Sequence, residues 1–292
     1  MRNDEIRREA KHILKSNWKI AILNLIIAGV LATMISQALQ SLTGNAMMNR
    51  VAMMQHHMTG PGSIMSVGNS FMSILLGLLS MAFSVLLYTG YDWSMLDLVD
   101  GQRLTVEGLF QAMKKNRMLK VVGLNIAITV LVGLWSLLLI IPGIIKAYSY
   151  SQALNILKDD PDVSIREAIR ASKEVMHGKK AQFFWLDFSF AVWYLMILGI
   201  FALFVYQSLN RAGIQSFLTD NEVLLTLIMM LLAFLVVITV IAILSLYIEP
   251  YRKTAKQLFY RDLVGYPSDT ESHMNGEKAF YQDLSNHDSF ND

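Results

Sequence analysis

Leu137-Leu138-Leu139-Ile140-Ile141-Pro142-Gly143-Ile144-Ile145 lies midway between Lys120 and Lys158, and its reading sets the topology of the whole chain. The run from Lys120 to Lys158 is almost uniformly apolar and is flanked on both sides by segments rich in Lys and Arg. Cations resist passage through hydrocarbon and collect on the cytoplasmic side of a membrane, so this run crosses twice or not at all. Pro142 brings no N–H and Gly143 is conformationally permissive, so helical hydrogen bonding breaks in mid-run. A hairpin is expected, with one span ending near Ile140 and the next carrying Pro142 in its first turn, where proline costs least. The returning span is short, since residues 142–157 make only about 25 Å of helix.

The rest of the chain follows the same pattern. The composition is 54% hydrophobic and 16% charged, and the apolar residues are contiguous rather than periodic. Runs at 20–39, 71–91, 121–141, 183–206 and 223–248 each approach the roughly twenty residues a helix needs to cross a 30 Å hydrocarbon layer. Of the 25 Lys and Arg residues, six fall in 1–19, five in 93–120, six in 158–182 and four in 249–262, against one each in 42–70 and 207–221. The rich segments are therefore expected in the cytoplasm with both termini. The predicted architecture is all-α: a polytopic membrane helix bundle with six transmembrane helices, near 20–41, 71–92, 119–140, 142–158, 183–206 and 222–248. These pair as three hairpins within a single membrane domain over 1–262. The first run has no small-residue cleavage site and is too long for a signal peptide, so it is read as a retained span.

A threefold repeat accompanies the hairpins. Leu23-Asn24, Leu124-Asn125 and Leu186-Asp187 each end five residues after a polar residue, Lys19, Lys120 or Gln182. Each is preceded by a basic amphipathic segment: Arg7 to Lys11, Gln111 to Lys115, and Arg170 to Lys173. The last is the best specified. Ser164 and Glu167 have capping-box spacing, Gly178 can end the helix, and Ile165, Ala168, Ile169, Ser172, Val175 and Met176 fall at helical spacing. These segments are expected to lie flat on the inner leaflet.

Five polar residues in or at the ends of the spans are the candidate site: Asn24, Asn125, Lys146, Asp187 and Glu249. Ionisable groups within a bilayer are costly unless paired or hydrated. One reading makes them a cavity open to the cytoplasm in which Lys146 neutralises Asp187 or Glu249. The plainer reading makes the Asn amides interhelical glue and the carboxylates structural or interfacial. The loop after the first run carries Met47, Met48, Met53, Met54, His56, His57, Met58 and Met65, soft ligands that Cu(I) would accept, although their spacing matches no closed geometry. Residues 263–292 hold six acids and one Lys and are expected to form a disordered tail.

Much chemistry is missing from the sequence. Cysteine is absent, and there is no His-Glu-x-x-His, no Gly-rich phosphate loop and no Gly-x-Ser-x-Gly. Gly77, Gly90, Gly123 and Gly133 are isolated and are read as points of close helix approach. No enzymatic activity, cofactor, metal centre or nucleic-acid partner is expected.

Three motifs carry a family resemblance: Ser136 to Ser151 around the Pro-Gly, Ala168 to Lys179 followed by the Phe-rich run containing Asp187, and Glu249-Pro250-Tyr251-Arg252-Lys253-Thr254-Ala255 with Phe259-Tyr260. Together they resemble the membrane-protein family called domain of unknown function 975, over about Ile6 to Asp262. The resemblance implies a multi-pass plasma-membrane protein of a Gram-positive bacterium and assigns no activity or functional residue. The expected role is non-catalytic: organising or binding membrane components, with anionic lipids at the basic helices and a possible membrane-protein partner. The competing expectation is a small transporter or channel using Asn24, Asn125, Lys146 and Asp187.

Overall fold

The computed structural model describes residues 1–42, 63–216 and 220–266, and these are helical apart from short connections. The helices are α1 (Asn3–Leu14), α2 (Trp18–Ser41), α3 (Ser63–Val99), α4 (Lys115–Leu138), α5 (Ile140–Tyr150), α6 (Ala153–Asp159), α7 (Ile165–Val175), α8 (Lys180–Ser216) and α9 (Asp220–Val264), with a 3₁₀ segment at Glu107–Met113. Five of them, α2, α3, α4, α8 and α9, are long and apolar enough to cross a membrane. Met47 to residue 62 of the Met/His-rich loop, and the acidic tail from residue 267, lie outside the described residues.

The packed core is gathered at one end of the molecule, the end that carries the basic segments. Phe183, Leu186 and Phe190 of α8 meet Leu258 and Phe259 of α9 there, and Ile6 and Ala10 of α1 close over them. A second cluster joins Leu14 and Ala21 to Tyr91, Met95 and Leu109, and a third joins Trp93, Val121 and Leu124 to Leu157 and Ala168. This layer, called the cap below, contains α1, the C-terminal ends of α3 and α9, the 3₁₀ segment, α6 and α7. Away from it the long helices are barely covered by protein. Within the most apolar stretch of α8 only 6% of residues are buried, and within that of α9 none are. Water could not solvate such faces, whereas hydrocarbon can.

The expected capping box on α7 is present: the Glu167 N–H donates to Ser164 Oγ at 3.3 Å, and the Ser164 N–H to the Glu167 carboxylate at 3.0 Å. Gly178, at φ +73, takes the left-handed conformation that ends the helix. Membrane contact by the amphipathic faces is corrected by the packing. Ile6, Ala10 and Leu14 of α1 and Ala168 and Ser172 of α7 are buried, because the apolar stripes find the ends of α8, α9 and α4 within the same chain. Burial also explains how α1 persists: twelve residues form a marginal helix alone, and each large apolar side chain removed from water contributes about 2 kcal/mol. The middle segment, Gln111 to Lys115, is no surface helix. It ends the 3₁₀ segment, whose Leu109 and Ala112 are wholly buried.

Gly90 shows how closely that segment approaches α3. A Cβ on Gly90 would stand 1.8 Å from the Leu109 carbonyl oxygen. Gly123 faces only Ile165 Cδ1, at 3.0 Å, while Gly77 and Gly133 have nothing within 4 Å. Close approach is therefore the reason for Gly90 and not for Gly77 or Gly133.

The hairpin between Lys120 and Lys158 forms, with its turn at Leu139, whose extended backbone separates α4 from α5. Its two ends meet: Lys120 Nζ donates to the carbonyls of Pro161 at 2.6 Å and Val163 at 3.3 Å. The fourth span expected at 142–158 does not form as one helix. Its residues divide between α5, eleven residues long, and α6, which sits in the cap, because the chain bends at Ser151-Gln152 to dock on α7. Ser172 fixes the bend, donating through Oγ to the Ser149 carbonyl (2.9 Å) and accepting from the Gln152 N–H (3.1 Å). At the other end of the chain, α9 runs through Pro250, so the basic residues after Glu249 continue the helix into the cap.

Candidate functional site

Two charge networks lie where the long helices enter the cap. The first surrounds Asp187 on α8. Its carboxylate is 3.2 Å from Arg252 Nη1 and 2.8 Å from Lys256 Nζ, both on α9, and Arg252 also reaches Glu249 at 3.0 Å. The Tyr148 hydroxyl of α5 adds a 3.5 Å hydrogen bond to Asp187 and packs edge-on against Phe183 and Phe184. Arg252 is one helical turn after Glu249 and Lys256 one turn further, so one face of α9 presents both cations to α8. All four charged side chains keep between 20% and 27% exposure, so the cluster is open at its edge.

The second network is deeper. Arg261, only 3% exposed, grips Asp100 through Nε and Nη2, both at 2.6 Å, and Asp159 through Nη1 at 2.7 Å and Nη2 at 2.9 Å. Tyr260 donates to Asp159 at 2.6 Å. One guanidinium thus ties the end of α9 to α3 and α6 with the paired geometry that arginine alone offers. Burial pushes the Asp100 carboxyl above its ordinary pKa, a penalty that Arg261 offsets only in part. Lys158 of α6 pairs with Asp97 and caps the Trp93 carbonyl, while Trp93 Nε1 donates to the Leu154 carbonyl at 3.1 Å. Lys253 pairs with Asp92 at 2.6 Å. Every cation of the α9 C-terminal turns therefore has a carboxylate partner on α3, α6, α8 or α9 itself.

The five sequence candidates are only partly brought together. Asp187 and Glu249 share Arg252. Asn24 is buried elsewhere, donating through Nδ2 to the Thr105 carbonyl at 3.1 Å and so fastening α2 to the segment that folds back under α3. Asn125 is partly exposed on α4. Lys146 neutralises neither carboxylate, which is a correction: its amine stands 4.6 Å from the centre of the Trp135 ring, within the hairpin, while Arg252 and Lys256 take the carboxylates. The reason is adjacency, since Asp187 faces α9 and Lys146 faces α4. Arg252, Lys256, Asp97, Asp100, Asp159, Lys158 and Arg261 were missed. The available signal was that acids at 92, 97 and 100 and bases at 252, 253, 256 and 261 extend both helices beyond their apolar runs.

Further along α8 and α9 lies a cleft of about 410 Å³ lined only by apolar side chains, among them Ile197, Phe201, Phe204, Val237 and Val240. Among the described residues no group of His, Asp or Glu is placed to hold a metal ion.

The segment that carries the hairpin tip, the Asp187 cluster and Arg261 also carries the family signal. Residues 137–266 match the family described as Protein of unknown function (DUF975). The DUF975 match begins at the hairpin turn and ends just after α9, so α1, α2 and α3, which supply Asp92, Asp97 and Asp100, lie outside it. Searches of curated proteins and of solved structures returned no match. The long apolar helices suit a membrane protein, and residues 137–266 are similar to a family of unknown function.

Proposed function

We propose that this is a multi-pass plasma-membrane protein with a cytoplasmic cap, which organises or binds other membrane components and catalyses no reaction. The observation that carries the reading is the contrast between a cap closed by ion pairs and helices α8 and α9 whose apolar sides have no protein behind them. Such faces, with a purely apolar cleft between them, are suited to acyl chains or to the helices of another membrane protein, for which close packing rather than water exclusion drives association. The polar faces of α1 and α7, with Lys15 just after α1, add Lys11, Lys15, Arg166, Arg170 and Lys173, all exposed and without an ion pair among the described residues. Each would attract anionic lipid by about 1 kcal/mol when close to the surface. Against transport stands the dispersal of Asn24, Asn125, Lys146 and Asp187, which do not converge on one cavity.

The test is reconstitution in vesicles with an imposed gradient of ions or small solutes, combined with native mass spectrometry of the gently extracted protein. The expected result is no flux above empty vesicles and retention of anionic lipid or a second polypeptide. Flux that Asp187→Asn abolishes would overturn the proposal.

A further inference from the structure

The α4–α5 hairpin ends in five consecutive large apolar residues, Leu137 to Ile141, each between 67% and 86% exposed. A turn that emerged into water on the far side of a bilayer would be expected to carry polar residues; this one has none.

Its depth can be measured from the cap. At Ser149 the chain is bonded to Ser172 of α7, and Tyr148 reaches Asp187 in a partly exposed cluster of ion pairs, so α5 leaves the polar layer at about Tyr148. From Tyr148 to Ile140 are eight residues, about 12 Å of helix. On α4, Val121 and Leu124 are packed in the cap against Leu157 and Ala168, and from Leu124 to Leu138 the helix rises about 21 Å. Both values fall short of the roughly 30 Å hydrocarbon layer. Three of the other long helices do not fall short: α3 extends 29 residues beyond Asp92, α8 29 beyond Asp187 and α9 29 beyond Glu249, each about 44 Å.

We propose that α4 and α5 form a re-entrant hairpin that enters and leaves the membrane on the side of the cap, its tip at Leu137 to Ile141 solvated by acyl chains in the bilayer interior. Four helices, α2, α3, α8 and α9, then cross, and the basic segments still share one side. Irregular backbone in lipid is costly because no water pairs its polar groups, and this turn keeps the irregular part to one residue. The Leu139 N–H donates to the Trp135 carbonyl at 3.1 Å, the Gly143 N–H to the Leu139 carbonyl at 3.2 Å, and Pro142 has no N–H to leave unpaired. Gly143 lets the two helices close at once, since a Cβ there would lie 2.1 Å from Ser136 Oγ. Lys146 is two residues from Tyr148, and its amine lies over the Trp135 ring inside the hairpin rather than facing lipid without a partner.

The proposal rests on the membrane reading above, and its test separates the two. The chain has no cysteine, so Leu139→Cys, Val240→Cys and Leu42→Cys can each be made alone, labelled with bimane and reconstituted in lipids brominated at mid-chain. Parallel samples are exposed to a membrane-impermeant maleimide from each face. Val240 is nine residues from Glu249 on α9 and serves as a control of similar depth. The expected result is quenching of Leu139→Cys matching that of Val240→Cys, with loss of maleimide modification from both faces. Modification of Leu139→Cys from the face that modifies Leu42→Cys would show a complete crossing, and modification from the cap face a hairpin lying outside the bilayer; either overturns the proposal. Absence of quenching at Val240→Cys as well would overturn the membrane reading itself.

Discussion

Arg261 is the residue on which the cap closes. Its ion pairs need not be net stabilising compared with an apolar cluster of the same shape, but removing the guanidinium leaves Asp100 and Asp159 without their bidentate partner. Arg261→Met is therefore predicted to cost about 3–5 kcal/mol, read as a loss of thermal stability in detergent. Arg261→Lys should recover only part of it, because an ammonium cannot grip two carboxylates in the plane of a fork. A second residue-scale prediction contrasts two glycines. Gly90→Ala would drive a methyl into the Leu109 carbonyl and expel the 3₁₀ segment. Gly77→Ala, with open space around it, should be neutral or stabilising by up to about 1 kcal/mol. Melting temperatures of the two variants check the pair. Both glycines look alike in the sequence; only the segment folded back from residues 101–113 distinguishes them.

At the scale of elements, α7 was the most legible, since Ser164, Glu167 and Gly178 act locally and need no knowledge of neighbours. The Pro-Gly hairpin was legible to within two residues for the same reason: Pro142 obliges the break wherever the two helices end up. Pairing across helices was not legible. Asp187 selects Arg252 and Lys256 because α8 lies along α9, and no spacing within the chain states that adjacency. The short α5 was also hidden, because its length is set by the docking of Ser149 and Gln152 on Ser172 rather than by where the apolar run stops. The α7 cap carries a pH dependence. Hydrogen bonds from Ser164 hold the Glu167 carboxyl below its ordinary value of 4.5. A depressed folded-state pKa contributes stability above the unfolded value and loses it as pH falls through the folded one. Hydrogen exchange in the first turn of α7 is predicted to accelerate below that range relative to Glu167→Gln, whose cap cannot titrate. Equal acid sensitivity in both proteins would remove Glu167 as the cause.

For the whole molecule, the cap is one body assembled from segments far apart in the chain. The amino terminus pairs with Asp262 at 2.8 Å, Tyr251 donates to the Arg7 carbonyl at 3.0 Å, and Lys158 meets Asp97. The apolar lengths of α2, α3, α8 and α9 and the basic character of the cap were visible in the sequence. That the principal core lies in the cap was not, because apolar side chains facing lipid and apolar side chains facing protein are the same residues. The most direct measurement is the sidedness of single cysteines at Lys15, Arg103, Lys173 and Leu42, probed with an impermeant maleimide on intact cells and on inverted vesicles. The account predicts that Lys15→Cys, Arg103→Cys and Lys173→Cys react only in inverted vesicles and Leu42→Cys only in intact cells. Division of the three cap positions between the two faces would contradict it.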